Sequence, residues 1–189
     1  MESLNFENMK LSIARPGTKA VAATRPEVAT TPTVNKFTIN PLASKLMGLE
    51  HGDHVTIIVN DQAESMDELL FITHGLSEAN QSKLAAVNKS AGVGRVLNFN
   101  YSGVWSKILQ FEVGAVELSP KALVERGLAV ERETKEGNTS YTATKKVSFE
   151  VGDDFEYNMG TDEDPNVVTL WPLINPKAED YTPRDNDAE

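Results

Sequence analysis

Two thirteen-residue stretches of this chain echo one another, and that echo constrains the fold more than any other feature. FTINPLASKLMGL, residues 37–49, aligns without a gap on VELSPKALVERGL, residues 116–128, at an offset of 79 residues. Asn40 meets Ser119, Pro41 meets Pro120, Ala43 meets Ala122, Gly48 meets Gly127 and Leu49 meets Leu128. Each matched position has one physical task. Asn or Ser offers a side-chain oxygen to the first helical N–H groups, and proline takes the first helical position, where a missing N–H costs nothing. Glycine then stops the helix in the left-handed region. Leu42, Ala43, Leu46 and Met47 give the first helix its apolar face. Any two well-capped short helices share part of this pattern, but the matched stop and the leucine after it favour a repeat. Two copies are too few for a solenoid. They suit a pseudo-twofold barrel in which each unit buries the other's apolar face.

The segments around the repeat read mainly as strands. VNKFTI and LLFITH carry strand residues, and HVTIIVN is apolar on both faces, as a buried strand is. GVGRVLNF is a further strand, and FNYSGVWSKILQFEV continues in β-like residues with Ser102-Gly103 as a turn or bulge. AVERETKEGNTSYTATKKVSFEV reads as a hairpin with Gly137 and Asn138 near its tip, and NVVTLWPLI as a last strand cut by Pro172. SEANQSKLAAVN is expected to be a helix beginning at Ser77. The expected fold is therefore mainly β (α+β): a barrel domain over 34–174, with the repeat at 37–59 and 116–155 and short helices.

Both ends lose this periodicity. Residues 1–33 read as an extended Pro/Ala/Thr-rich arm, in which NMKLSIAR alternates like a short strand and Pro16-Gly17 marks a turn. About fifteen extended residues reach ~50 Å, so the arm is either a disordered leader or a segment that docks on a neighbour. Residues 175–189, NPKAEDYTPRDNDAE, read as an acidic tail.

Charge and cysteine content narrow the function. The net charge of −10 and pI near 4.8 argue against broad coating of phosphate backbones, though not against a local patch. The absence of cysteine excludes disulfides, thiolate zinc sites and cysteine nucleophiles. The first residues lack the apolar run of a secretory signal and no stretch approaches the ~20 apolar residues of a membrane span. A cytoplasmic or virion-associated protein is expected, neither secreted nor membrane-bound.

Phe37 to Val59, with strand, Asn-Pro cap, short helix, Gly-Leu and the Gly-Asp turn His51-Gly52-Asp53-His54-Val55, resembles the cradle-loop barrels. That group holds the AbrB/SpoVT-like swapped-hairpin DNA-binding domains and the double-psi β-barrels. The resemblance implies a barrel whose glycine permits a tight turn and whose aspartate accepts backbone N–H groups within it. Two units in one chain favour the double-psi form. At the repeat offset the second copy has Glu131 and Arg132 in place of Gly52 and Asp53, and Val151-Gly152-Asp153-Asp154-Phe155 stands as a replacement after the hairpin. LVERGLAVERETKEGNTSYTAT is also similar to the end of a winged-helix domain, a weaker match.

Catalytic patterns are sparse. His51, Asp53, His54 and His74 suggest a metal site, but the turn already explains the aspartate, so no metal and no cofactor are expected. DDFEYNMGTDEDP departs from the EF-hand spacing and reads as a solvated acidic loop. There is no Gly-x-Ser-x-Gly elbow, and SAGVGRV lacks the lysine of a phosphate loop. An enzyme is not expected.

The leading candidate surface is GRVLNFNYSGVWSKILQF, residues 94–111, which interleaves Arg95, Phe99, Tyr101, Trp105, Lys107 and Phe111. On an open sheet face such a set stacks bases and neutralises phosphates, with Lys36 and Lys45 as secondary contacts. Alternating aromatics more often fill a barrel core. Two functions follow: a non-enzymatic nucleic-acid-associated protein, regulatory or single-strand binding, or a structural assembly protein, for instance of a virus particle. In the second, residues 1–33 dock on a neighbour and the protein is a homo-oligomer.

Overall fold

The computed structural model of the chain describes residues 23–76, 81–86, 94–114, 119–161 and 163–180. Its strands are β1 (Glu27–Thr31), β2 (Lys36–Ile39), β3 (His54–Val59), β4 (Leu70–His74), β5 (Ser82–Lys83), β6 (Ala85–Ala86), β7 (Leu97–Asn100), β8 (Ala129–Glu133), β9 (Thr139–Ala143), β10 (Lys145–Val151), β11 (Phe155–Asn158) and β12 (Val167–Asp180). Among the described residues three short α-helices, α1 (Pro41–Leu46), α2 (Val104–Val113) and α3 (Pro120–Glu125), and one 3-10 turn at Met66–Glu68 join them. All but β8 and β9 form one antiparallel sheet in the order β5-β3-β4-β12-β10-β1-β2-β7-β6, with β11 added on β12. Among the described residues no helix is long and apolar enough to cross a membrane.

A single short stretch brings the two edges of this sheet together. Lys83 pairs with His54 of β3, and two residues later Ala85 pairs with Asn98 of β7. Between them Leu84 is fully buried; its N–H donates to the Asp53 carbonyl at 2.8 Å, and its carbonyl accepts from Gly52 N–H at 3.0 Å. Residues 82–86 thus bridge both edges, and the sheet becomes a nearly closed barrel whose edges are covered rather than exposed. Period-two alternation sends Phe37, Ile39, Val55, Ile57, Ile72, Leu97, Phe99, Phe149 and Leu173 into one core. Phe37 and Phe99 stack there at 5.0 Å between ring centroids, directly paired across β2 and β7. Each such ring contributes about 1.5–3 kcal/mol by leaving water.

The repeated cap units form as their residues dictate. The Asn40 side chain accepts from Ala43 N–H and the Ser119 side chain from Ala122 N–H, and Gly48 and Gly127 both stop their helices at φ +67°. Beyond the stops the two copies diverge. In the first, the Gly52-Asp53 turn leads into β3 of the barrel, and Asp53 accepts the Glu50 N–H at 2.8 Å as the turn requires. In the second, β8 begins at Ala129 and pairs with β9 in a separate two-stranded sheet. The buried faces differ too, since Ser44 stands at the repeat position of Leu123, which anchors a small second core with Leu109 and Ala129. The repeat therefore spans cap, proline and stop, while the strands that follow occupy dissimilar places.

Several segments depart from the sequence reading. Glu27–Thr31, left in the arm ahead of Val34, is strand β1 between β10 and β2, with Val28 and Thr30 fully buried. At the other end, Asn175–Asp180 continue β12 against β10 rather than starting a tail at 175. Pro172 lies inside β12, opposite Phe71 of β4, and does not cut the strand. The helix expected from Ser77 is replaced at 82–86 by the bridging strands, and 77–80 lie outside the described residues. Val104–Val113, expected as β, is helix α2, entered through Gly103 at φ +84°. The arm's residues 1–22, residues 116–118 at the start of the second repeat copy and the tail's residues 181–189 also lie outside the described residues.

Candidate functional site

The candidate surface at 94–111 is taken apart by this fold. Phe99 points into the barrel and stacks on Phe37, and Trp105 is 1% exposed, its indole N–H donating to the Thr30 hydroxyl at 3.0 Å. Neither ring has a free face for a base, because the strand ends at Asn100 and Trp105 turns inward from α2. Tyr101 is half-buried at the margin of the core. That burial raises its phenol above the ordinary tyrosine range, against a smaller opposing effect of its bond to the Ile57 backbone.

The cations are dispersed. Lys107 Nζ lies 2.6 Å from an Asp61 carboxylate oxygen, beside a shallow groove of Asn60, Asp61, Leu69, Lys107, Gln110 and Phe111. Arg95 and Lys45 are both exposed, and α1 is tied to the Arg95 segment through its backbone, the Ser44 hydroxyl donating to the Arg95 carbonyl at 2.8 Å. Lys36 is half-buried on β2, opposite Asn100. The structure brings Phe99 and Trp105 into the core and Lys107 onto Asp61, and among the described residues no interleaved aromatic-basic face forms.

Histidine has structural tasks as well. A ring nitrogen of His74 lies 3.1 Å from the Met47 carbonyl at the end of α1, and its ring packs 5.6 Å from Trp171. Among the described residues no group of three or more His, Asp or Glu side chains is placed to hold a metal ion.

The surface that sequence reasoning missed lies where a solvated acidic loop was expected. Phe155–Asn158 is a strand, β11, exposed along its whole length and paired on one side with β12, Phe155 opposite Leu170 and Tyr157 opposite Val168. Phe155, Tyr157, Met159 and Val167 are 41%, 53%, 44% and 56% exposed. Phe155 meets Phe71 edge-on at 5.8 Å and 82°. Phe155, Tyr157 and Met159, with Ile58, Val59, Phe71 and Leu170, border a groove of about 340 Å³ whose lining also includes Asn60 and Asp61. The available signal was the alternation of Phe155, Tyr157 and Met159 with polar residues. Acidic residues dominated the composition of that stretch and concealed it.

Fold and surface together define a mainly β protein: a nearly closed antiparallel barrel carrying a protruding, partly apolar ribbon. Compared with protein-family models, curated proteins and solved structures, the chain matches none.

Proposed function

We propose that this chain is a non-enzymatic assembly protein, a barrel scaffold that joins to a neighbouring subunit. The observation that carries the reading is the β11–β12 ribbon, where four large apolar side chains stand in solvent on one projecting element. Single exposed apolar residues are ordinary, but a grouped set on an edge strand marks an interaction surface. The nucleic-acid reading loses its stacking platform with Phe99 and Trp105 buried, and dispersed cations on an acidic protein are a weak phosphate footprint. Asn40, Gly48 and the Asp53 turn support relating residues 37–59 to cradle-loop barrels; the separate β8–β9 sheet gives a double-psi arrangement no support.

Sedimentation velocity of the full chain across a hundredfold concentration range tests the reading. A rising weight-average mass, with residues 1–22 becoming protected from protease as the mass rises, is the expected result. A monomer throughout, with protease sensitivity independent of concentration, refutes it.

A further inference from the structure

Strands β10 and β11 follow one another along the same edge of β12, Val151 facing Leu173 and Phe155 facing Leu170. The opposite edge of β10 is taken by β1, Glu27 opposite Glu150. The opposite edge of β11 is paired with no other described strand. The chain enters the barrel next to that edge: Val151 N–H donates to the Pro26 carbonyl at 3.0 Å, and Arg25 is paired with Glu150 at 2.9 Å.

The sequence ahead of that entry complements the ribbon. Residues 8–22 contain Lys10, Arg15 and Lys19 and no acidic residue, whereas 153–164 contain Asp153, Asp154, Glu156, Asp162, Glu163 and Asp164 and no basic one. Met9, Leu11 and Ile13 alternate with polar or small residues, matching the alternation of Phe155, Tyr157 and Met159. Antiparallel addition with Ile13 opposite Phe155 sets Leu11 on Tyr157, Met9 on Met159 and Arg15 on Asp153, each pair on one face. Main-chain bonds to the edge would supply affinity and these pairs the register.

We propose that residues 9–15 of a second copy of this chain add to the outer edge of β11 as an antiparallel strand. The inference rests on the assembly reading and identifies its acceptor. Because the chain has no cysteine, engineered pairs report the contact directly. Full-length Leu11→Cys protein mixed with full-length Tyr157→Cys protein should oxidise to a mixed disulfide dimer, and Leu11→Cys mixed with Val130→Cys, exposed on the other hairpin, should not. In a Leu11→Cys/Tyr157→Cys double variant the bond should be between chains; a bond within one chain at nanomolar protein overturns the second-copy assignment. Tyr157→Asp, a change at an exposed position, should weaken self-association by about tenfold or more, as should Leu11→Asp with Ile13→Asp. Arg15→Glu should weaken it too, and Asp153→Arg should restore it. If the Leu11/Ile13 variant fails to associate while Tyr157→Asp associates normally, the acceptor is wrong and the assembly reading stands. If both associate as the parent does, the arm and ribbon are irrelevant and the proposal falls.

Discussion

Replacing Thr30 with valine tests the burial of the 94–111 aromatics at its most sensitive atom. Thr30 is fully buried in β1 between Phe37 of β2 and Val147 of β10, and its hydroxyl oxygen is the acceptor for the Trp105 indole N–H at 3.0 Å. Valine keeps the volume and the β-branched shape, so strand preference and packing change little. What changes is the indole N–H, which is left in the core with neither protein partner nor water. An orphaned buried donor costs about 1–3 kcal/mol, roughly a 5- to 150-fold shift in the unfolding equilibrium. For a chain of this size the melting temperature should fall by about 2–4 °C per kcal/mol. Urea unfolding followed by far-UV circular dichroism gives the value without using the tryptophan signal. Trp105→Phe removes the donor and some packing, and in the double variant neither partner is orphaned, so the two costs should fall short of adding by about 0.5–3 kcal/mol. A burial site with no working hydrogen bond would gain from exchanging hydroxyl for methyl. An unchanged or raised midpoint for Thr30→Val would therefore refute the inward placement of Trp105.

Three further outcomes are expected. The two tryptophans, Trp105 and Trp171, are 1% and 8% exposed, so native emission should be blue-shifted, resist iodide quenching and stay unchanged on adding oligonucleotide at low salt. Asn40→Ala should cost more than Ser119→Ala: both lose an N-cap bond of about 0.5–2 kcal/mol, but Asn40 Nδ2 also donates to the Arg25 carbonyl at 2.7 Å and so ties α1 to the entry of β1. Denaturant midpoints rank the pair. Burial raises the Tyr101 phenol, so the unfolded chain loses that proton first; stability should be undiminished below pH ~10 and fall as pH climbs toward the folded value. Tyr101→Phe should lessen that alkaline loss in thermal melts read by circular dichroism.

What the sequence made legible was local. Asn40-Pro41, Ser119-Pro120, Gly48 and Gly127 act through the backbone within four or five residues, so their caps and stops could be read directly and are present in the structure. Strands β2, β3, β4 and the β8–β9 hairpin carried their own periodicity or turn signal in the same way. Burial was not local. Thr30 and Thr31 look like linker residues, and only the flanking edges of β10 and β2 make EVATT a central strand. Val104, Trp105, Ile108 and Leu109 have the spacing of a helix face, but their aromatic and β-branched character reads as strand until Gly103 is seen to start α2. Leu84 is among the most buried residues because residues 82–86 join two edges far apart in sequence. Pairing partners of that kind are chosen by the closed barrel.

The acidity of the ribbon bears on why an exposed apolar edge need not lead to uncontrolled pairing. An edge strand with free backbone groups and aromatic side chains would ordinarily pair with a copy of itself. Antiparallel pairing of β11 with a second β11 would bring two acidic ribbons together, with Glu156 opposite Glu156 in one register, a like-charge arrangement that disfavours the homotypic ladder. A strand in the proposed register meets attraction instead, with Arg15 opposite Asp153 and Lys10 diagonal to Glu156. The charge pattern therefore discriminates between two otherwise similar strand additions, and it makes opposite demands on salt. Arm-mediated association should weaken as sodium chloride rises from about 0.05 to 0.5 M, because screening removes the attraction. Ribbon-to-ribbon pairing would strengthen over the same range, because screening removes the repulsion. Sedimentation in the two buffers separates them, and association that increases with salt would exclude the arm as the partner of β11.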